Sequence, residues 1–299
     1  MGAMMPLTFT PILLEDQQRY REHLIRCPQA TSDYSFVNLW GWALEYGLEL
    51  AWDAELVWVR QLLPQPVYWA PVGPWDGIDW PRRVAALAPE PSSATFRRVP
   101  EALVEVWRSV WGDRIQVVET RSDWDYLYAV QDLVELRGNR FHKKKNLLNQ
   151  FLKTYDYVYV PFSPEIVREA LEMQEEWCVW RDCESSETLA AENRAIERVL
   201  KAWQSLQGVL GGALRVEKNV LAYTIGEPLA EEMLVIHFEK GCSKVKGVYQ
   251  AINQMFLARE GEGYTTVNRE QDLGDAGLRK AKLSYHPTGY LKKFGVALV

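Results

Sequence analysis

Glu239 and Glu270 each stand at the end of a strand-like run, Met233–Phe238 and Tyr264–Val267, and Arg269 stands beside the second. Two carboxylates and a guanidinium at strand ends supply what acyl transfer requires of a protein. A group must take a proton, and a cation must meet the charge that develops on a carbonyl oxygen. Open α/β sheets bind ligands beyond the C-terminal ends of their strands. Asn268, Arg269 and Glu270 are therefore expected to line a cleft rather than an outer face. A structural alternative stays open, in which Arg269 and Arg279 pair with Glu239, Glu270 or Asp272 in an ion-pair network.

A second feature follows Glu239. Lys240 and Gly241 end the strand, and Lys244, Lys246, Gly247, Val248 and Tyr249 open a helix that also carries Asn253. Exposed N–H groups at a helix start, with three lysines nearby, suit an anion or phosphate; solvated loop lysines are the alternative. Asp272 and Asp275 precede a further helix, Leu278–Tyr285, with Asp275 as its N-cap. Arg279 and Lys282 lie one turn apart on it, while Lys280 points elsewhere. Beyond Asp275 the chain has no Asp or Glu but carries Arg279, Lys280, Lys282, Lys292 and Lys293, which predicts an anion-facing C-terminal segment. A third basic group, Arg140, Lys143, Lys144 and Lys145, fits either nucleic-acid phosphates or a solvated linker. His237 reads as a satisfied core or pocket histidine and His142 as a surface residue. Cys178 and Cys183 read as buried thiols. With no C-x-x-C pair among four cysteines, reduced thiols in a cytoplasm are expected and a zinc site is not. A G-x-S-x-G elbow and a Walker loop are both missing, which removes serine hydrolases and nucleoside triphosphatases.

The elements that must hold these groups alternate between strand and helix. The chain has 299 residues, 47% hydrophobic and 25% charged, and a net charge of −6. That describes a globular protein whose basic sites are local. No signal peptide and no membrane span is expected. Strands are predicted at Leu7–Leu13, Pro66–Val72, Ile115–Glu119, Tyr157–Phe162, Leu214–Glu217, Val220–Ile225, Met233–Phe238, Tyr264–Val267 and Phe294–Val299, with a hairpin in Leu48–Leu63. Helices are predicted at Glu15–Arg26, Pro81–Leu87, Leu147–Tyr155, Pro164–Trp180, Glu192–Gln207, Val248–Arg259 and Leu278–Tyr285. A Pro- and Ser-rich loop covers 89–93. The composition shift at Arg137–Asn146 divides the chain into an N-terminal unit, 1–136, and a C-terminal unit, 137–299. The fold class is α/β (α+β), in two successive mixed units.

The order strand, glycine loop, helix, strand around Gly247 resembles the core of the N-acetyltransferase-like fold. Of that fold's pyrophosphate loop, [QR]-x-x-G-x-[GA], the run Lys244–Tyr249 keeps only the glycine. Tyr249 in the last, small position predicts weak coenzyme A binding. At larger scale, "HFEKGCSKVKGVYQAINQMF", "VNREQDLGDAGLRKAKLSYHP", "GNRFHKKKNLLNQF" and "YTIGEPL" resemble the phosphatidylglycerol lysyltransferase C-terminal domain family, over about Ser32 to Phe294. The resemblance implies two tandem N-acetyltransferase-like units, each a mostly antiparallel sheet flanked by helices. It also implies kinship with Fem-type transferases, which take an amino acid from aminoacyl-tRNA. Lysyltransferases of this kind usually carry an N-terminal membrane domain, which is absent from this sequence, so the acceptor stays open. On this reading Glu239 or Glu270 takes the acceptor's proton, and Arg269 or loop N–H groups hold the oxyanion. Tyr285 protonates the leaving ribose oxygen. Lys240, Lys244, Lys246, Gly247, Tyr249, Asn253, Asn268, Asp272, Arg279 and Lys282 bind substrate, Arg140 and Lys143–Lys145 grip the tRNA, and no cofactor is needed. The alternatives are an acyl-CoA-dependent N-acyltransferase and a catalytically silent module for an anionic ligand.

Overall fold

The computed structural model describes residues 7–87 and 94–299, so the predicted loop at 89–93 lies outside the described residues. Contacts divide the chain into two compact units. The first comprises the chain up to Asp125 together with Gln271–Gly274 and Leu291–Val299; the second comprises Tyr126–Glu270 and Asp275–Tyr290. The division expected at 136/137 falls instead at 125/126, and the first unit is discontinuous. Pairing decides this. A strand at Asp125–Ala129 and a helix at Val130–Glu135, neither evident from the sequence, belong with the second sheet, whereas the last strand of the chain belongs with the first.

Both units are mixed α/β, as expected. Unit 1 contains β1 (Thr10–Pro11), α1 (Gln17–Leu24), α2 (Phe36–Tyr46), β2 (Leu48–Trp52), β3 (Val57–Gln61), β4 (Val67–Trp69), α3 (Trp80–Ala85), β5 (Thr95–Pro100), α4 (Glu101–Trp111), β6 (Ile115–Glu119) and the C-terminal β14 (Lys293–Leu298). Its sheet runs β1-β2-β3-β4-β5-β14-β6. Only the β4–β5 pairing is parallel. Trp58, Trp80, Phe96 and Trp107 pack edge-on or tilted beneath it, with centroids 4.8–6.4 Å apart. All four rings are buried and form the core of unit 1. The strand expected at Leu7–Leu13 shrinks to two residues, and α2 and α4 are not among the predicted helices. Ser35 caps α2 by accepting from the Asn38 N–H.

Unit 2 contains β7 (Asp125–Ala129), α5 (Val130–Glu135), α6 (His142–Thr154), β8 (Tyr157–Pro161), α7 (Pro164–Arg181), α8 (Glu187–Lys201), β9 (Leu210–Val216), β10 (Asn219–Ala230), β11 (Met233–Gly241), α9 (Val248–Glu260), β12 (Thr266–Asn268), α10 (Ala276–Leu283) and β13 (Gly289–Leu291), which the sheet order places at its edge. The sheet runs β13-β7-β12-β11-β10-β9-β8, with β11 and β12 parallel. Its core joins Leu234 and Ile236 of β11 to Val248, Ile252 and Phe256 of α9 and to Phe151 of α6.

Two sets of apparent chain breakers sit inside these strands. Gly211 and Gly212 lie in β9 because a Cβ there would fall 2.4 Å from the Phe162 ring and 2.0 Å from the Tyr159 hydroxyl. Gly226 and Pro228 lie at register shifts of β10. A further correction concerns sulfur. Cys178 and Cys183 form a disulfide rather than free thiols. Asp182 ends α7 in the left-handed region (φ 50°), and a short 3-10 turn carries Cys183 back beside Cys178, with a Cα–Cα distance of 5.1 Å. The C-x4-C spacing gives no hint of that reversal.

Candidate active site

Two irregularities of unit 2 bring its polar groups together. β12 pairs with β11 only at Met233↔Thr266, Leu234↔Val267 and Val235↔Asn268. Past Asn268 the chain stays with β7 instead. The Arg269 N–H donates to the Tyr126 carbonyl at 2.9 Å, and the Tyr126 N–H donates to the Glu270 carbonyl at 3.1 Å. β11 therefore continues to Gly241 without its parallel partner, which leaves Glu239 to meet the side chain of Arg269.

The second irregularity is a bulge. Ile236 faces Gly226 and Phe238 faces Ile225, which leaves His237 as an extra residue. A bulge re-aims the side chains beyond it. Leu234 and Ile236 pack towards α9 before it. After it the odd positions do so: Glu239 reaches Asn253 of α9, and Gly241 packs on Val248. Lys240 turns instead to Glu192 of α8 at 2.7 Å and lies over the Trp177 ring of α7 at 4.2 Å.

The centre of the site is Arg269. Its Nη2 donates to Glu239 Oε1 at 2.9 Å, and Glu239 Oε2 accepts from Asn253 Nδ2 at 2.9 Å. The guanidinium carbon lies 4.9 Å from the Tyr285 ring centroid and 5.8 Å from that of Tyr128. Burial opposes its charge, but Glu239 together with Tyr128 and Tyr285 outweighs burial and holds the guanidinium protonated. Its Nη1 is buried and meets no acceptor in hydrogen-bond geometry among the described residues; the guanidinium's other interaction is with the Tyr285 side chain. The expected ion pair is therefore real, and it leaves one donor of the fork unused. Tyr285 Oη accepts from Gln250 Nε2 at 3.2 Å, and burial pushes its phenol up, so it stays protonated. Over the same ring, 3.9 Å from the centroid, lies the Lys144 ammonium.

The turn after β12 is tightly specified. Glu270 has φ 56°, a left-handed conformation uncommon for glutamate. Its N–H donates to Asn268 Oδ1 at 2.8 Å. Lys282 of α10 donates to the Arg269 carbonyl and, at 3.4 Å, to that of Glu270. His237 joins two carboxylates, with Nδ1 2.7 Å from Glu270 Oε1 and Nε2 3.0 Å from Glu227 Oε1. Burial disfavours its charged form, but the hydrogen bonds and charges of Glu227 and Glu270 outweigh that and raise its pKa to about 9.

His237 is thus a satisfied histidine, as its strand position suggested, but it holds a site carboxylate. Its raised pKa makes it a stability group with a definite sign. The folded state binds the proton more tightly, so the stabilisation is complete below the unfolded value and disappears as pH rises through about 9. Urea denaturation of the wild type should lose on the order of 3 kcal/mol between about pH 6.5 and 9.5 relative to His237→Gln. A parallel pH dependence in the two proteins would contradict the charged assignment.

The other expected site residues divide. Asn253, Asn268 and Lys282 are part of this arrangement. Tyr249 takes a hydrogen bond from Trp177 Nε1 at 3.3 Å, at the same end of the sheet as Lys240. Lys244 and Lys246 are exposed, Lys244 lying 5.5 Å from the Trp180 ring. Gly247 begins α9 at φ 85°, and a Cβ there would fall 2.2 Å from the Leu147 carbonyl oxygen of α6. Its close approach is to the protein's own backbone. Arg279 is half-buried on α10. Asp272 belongs to unit 1, where it is buried and receives Arg121 at 3.4 Å.

The anion-facing C-terminal segment is not a single surface. Lys282 serves backbone carbonyls, Lys292 pairs with Glu101 at 3.2 Å, and Lys293 is buried in unit 1. Arg140 pairs with Asp132 at 2.6 Å, while Lys143 and Lys145 are exposed on the first turn of α6. Gln250, Tyr128 and Glu227 escaped the sequence reading. Glu227 could have been noticed as a carboxylate between Gly226 and Pro228 in an otherwise apolar strand.

The site thus lies on a mixed seven-stranded sheet that parts at its parallel pair, β11 and β12, with Arg269 largely buried beside the split. Residues 26–297 match the family model "Phosphatidylglycerol lysyltransferase, C-terminal", and the chain belongs to that family. A conserved protein of unknown function from Bacteroides thetaiotaomicron superposes with a TM-score of 0.91 at 32% identity, over 98% of this chain and 100% of that one. The L-PGS structure from Bacillus licheniformis superposes with a TM-score of 0.66 at 14% identity, over 99% of this chain and 94% of the other, and so shares the fold. An uncharacterized Mycoplasmoides gallisepticum protein is 23% identical over 181 residues, 60% of this chain, and the match spans 57% of that relative's length. Among the described residues no helix is long and apolar enough to cross a membrane. The family takes its name from an aminoacyl transferase, the phosphatidylglycerol lysyltransferase, of which it is the C-terminal part.

Proposed function

We propose that this protein moves an amino acid from aminoacyl-tRNA to an amine or hydroxyl acceptor. The observation that carries the reading is the unused Nη1 donor of Arg269, buried on a guanidinium that Glu239 keeps charged and oriented. A fixed donor with no ground-state acceptor is what a developing carbonyl oxyanion needs. Glu239 has both oxygens engaged, so it positions Arg269 and Asn253 rather than taking a proton. Tyr285, protonated through burial, gives its hydroxyl hydrogen to the leaving ribose oxygen. Asn268, Lys282 and His237 fix the 268–270 turn on which Arg269 stands. A donor of this class places the reaction in the cytoplasm.

Lys143 and Lys145, with Arg140 behind them, meet tRNA phosphates. Cations at a helix N-terminus are electrostatically unfavourable unless an anion joins them, and the first turn of α6 has no acidic residue. Binding of a charged tRNA pool should weaken steeply with salt. Replacing Lys143 and Lys145 with Ala should flatten the log–log slope by about 1.4–1.8 units, since each lost contact accounts for about 0.7–0.9. An unchanged slope in the folded variant would move the tRNA grip elsewhere. The coenzyme A alternative loses support from Gly247, whose open side is filled by α6 rather than left to a pyrophosphate.

The direct experiment presents the protein with a pool of tRNAs charged with labelled amino acids and small amine acceptors, and follows label out of the tRNA. Tight tRNA binding without transfer would leave the silent anion-binding module as the correct description.

A further inference from the structure

The carboxylates expected to take the acceptor's proton are both engaged, Glu239 by Arg269 and Asn253, Glu270 by His237. Lys144 is placed differently. It is the third residue of α6, half-buried where its neighbours Lys143 and Lys145 are exposed. Its ammonium lies 3.9 Å from the centroid of the Tyr285 ring, the ring that Arg269 also covers. Among the described residues no carboxylate pairs with it.

We propose that Lys144 is a catalytic residue of this site, the base that accepts the proton of the attacking amine, and not part of the tRNA grip. The inference rests on the aminoacyl-transfer reading. The acceptor nitrogen attacks the ester carbonyl carbon, and its proton passes to the free amine of Lys144. The carbonyl–oxygen ester bond breaks, and its electron pair leaves on the ribose oxygen, which takes the Tyr285 hydroxyl proton. Solvent then takes the proton from the Lys144 ammonium and returns one to the tyrosine oxygen. The products are an amide and a free ribose hydroxyl, and both side chains return to their starting states.

The surroundings explain how a lysine can be neutral here. Burial disfavours the ammonium, and the charge of Arg269 adds to that, together lowering its pKa to about 8. Glu239, the carboxylate that meets Arg269, is spent on that guanidinium. On its own element the lysine has only His142, Lys143 and Lys145 beside it, and from α5 Asp132 is taken by Arg140. His286 contacts the Arg140 carbonyl and the Phe141 ring instead. Tyr285 presents a ring rather than a phenolate.

The test has two parts. First, acetylation of the intact protein by an N-hydroxysuccinimide ester, read at Lys144 by peptide mass spectrometry, should be half-maximal near pH 8, and Arg269→Gln should move that midpoint upwards. A midpoint near the ordinary lysine value would overturn the proposal. Second, Lys144→Arg keeps a cation on the ring but has no proton to give up at working pH. It should lower kcat about 10²-fold or more while tRNA binding and its salt slope stay unchanged, and Lys144→Gln should do the same. Wild-type kcat in a folded Lys144→Arg protein would refute the base role alone. If the wild type transfers from no charged tRNA, the aminoacyl-transfer reading fails and takes the base role with it.

Discussion

Replacing Arg269 with glutamine should reduce aminoacyl transfer about 10²- to 10³-fold, the usual consequence of losing one oxyanion donor. The loss should fall on kcat with KM little changed, because Nη1 meets no acceptor before the oxyanion forms. The substitution also strands Glu239, whose side chain is only 10% exposed, so stability will fall as well. A second protein, Glu239→Gln with Arg269→Gln, separates the two effects. The neutral pair should recover much of the stability and none of the activity. Urea denaturation and single-turnover transfer are the measurements. A folded Arg269→Gln protein that transfers at the wild-type rate would remove the oxyanion role and with it the main support for the mechanism.

The other large effect is expected in unit 1, on stability rather than on chemistry. Lys293 of β14 is completely buried and donates to Asp33 and, at 2.7 Å, to Asp125, both also completely buried. Arg98 donates to Asp33 as well, from a left-handed backbone position (φ 58°), with its guanidinium 4.1 Å from the Trp69 ring centroid. Ser32 satisfies Asp125 through its N–H at 2.9 Å and its hydroxyl at 2.8 Å. Gln271 donates to Asp33 at 3.2 Å. Burial opposes every charge in this network, yet Arg98 and Lys293 hold the Asp33 carboxyl below its ordinary value. Lys293→Met should therefore cost about 3–5 kcal/mol, because it leaves buried carboxylate charge uncompensated. Adding Asp125→Asn to Lys293→Met should restore part of the loss. The urea midpoint decides the matter, and a Lys293→Met protein within about 1 kcal/mol of wild type would mean the network is better solvated than its burial implies. The same network explains why the C-terminal strand joins the first sheet: Lys293 can be buried only where two aspartates await it.

The sequence by itself determined the local structure and the identity of the motif. Asp275 caps α10 as its position before Leu278 indicates, accepting from the Leu278 N–H at 2.5 Å. The hairpin of β2 and β3, helices α6, α7 and α9, and the strand ahead of Arg269 follow from apolar periodicity and turn residues, which act over a few positions. The "NRE-x-DLG" run was specific enough to point to the family. Only the tertiary structure decided the partners. Nothing local distinguishes Lys293, buried between aspartates 168 and 260 positions away, from Lys292 on the surface beside it. A one-residue bulge at His237 sends Glu239 to Arg269 and Lys240 to Trp177, and period-two reasoning cannot register an inserted residue. Lys143, Lys144 and Lys145 read alike in sequence. Helical rotation turns one of them onto Tyr285 and leaves its neighbours in water, so burial and the charge of Arg269, neither of them local, make it a different chemical group.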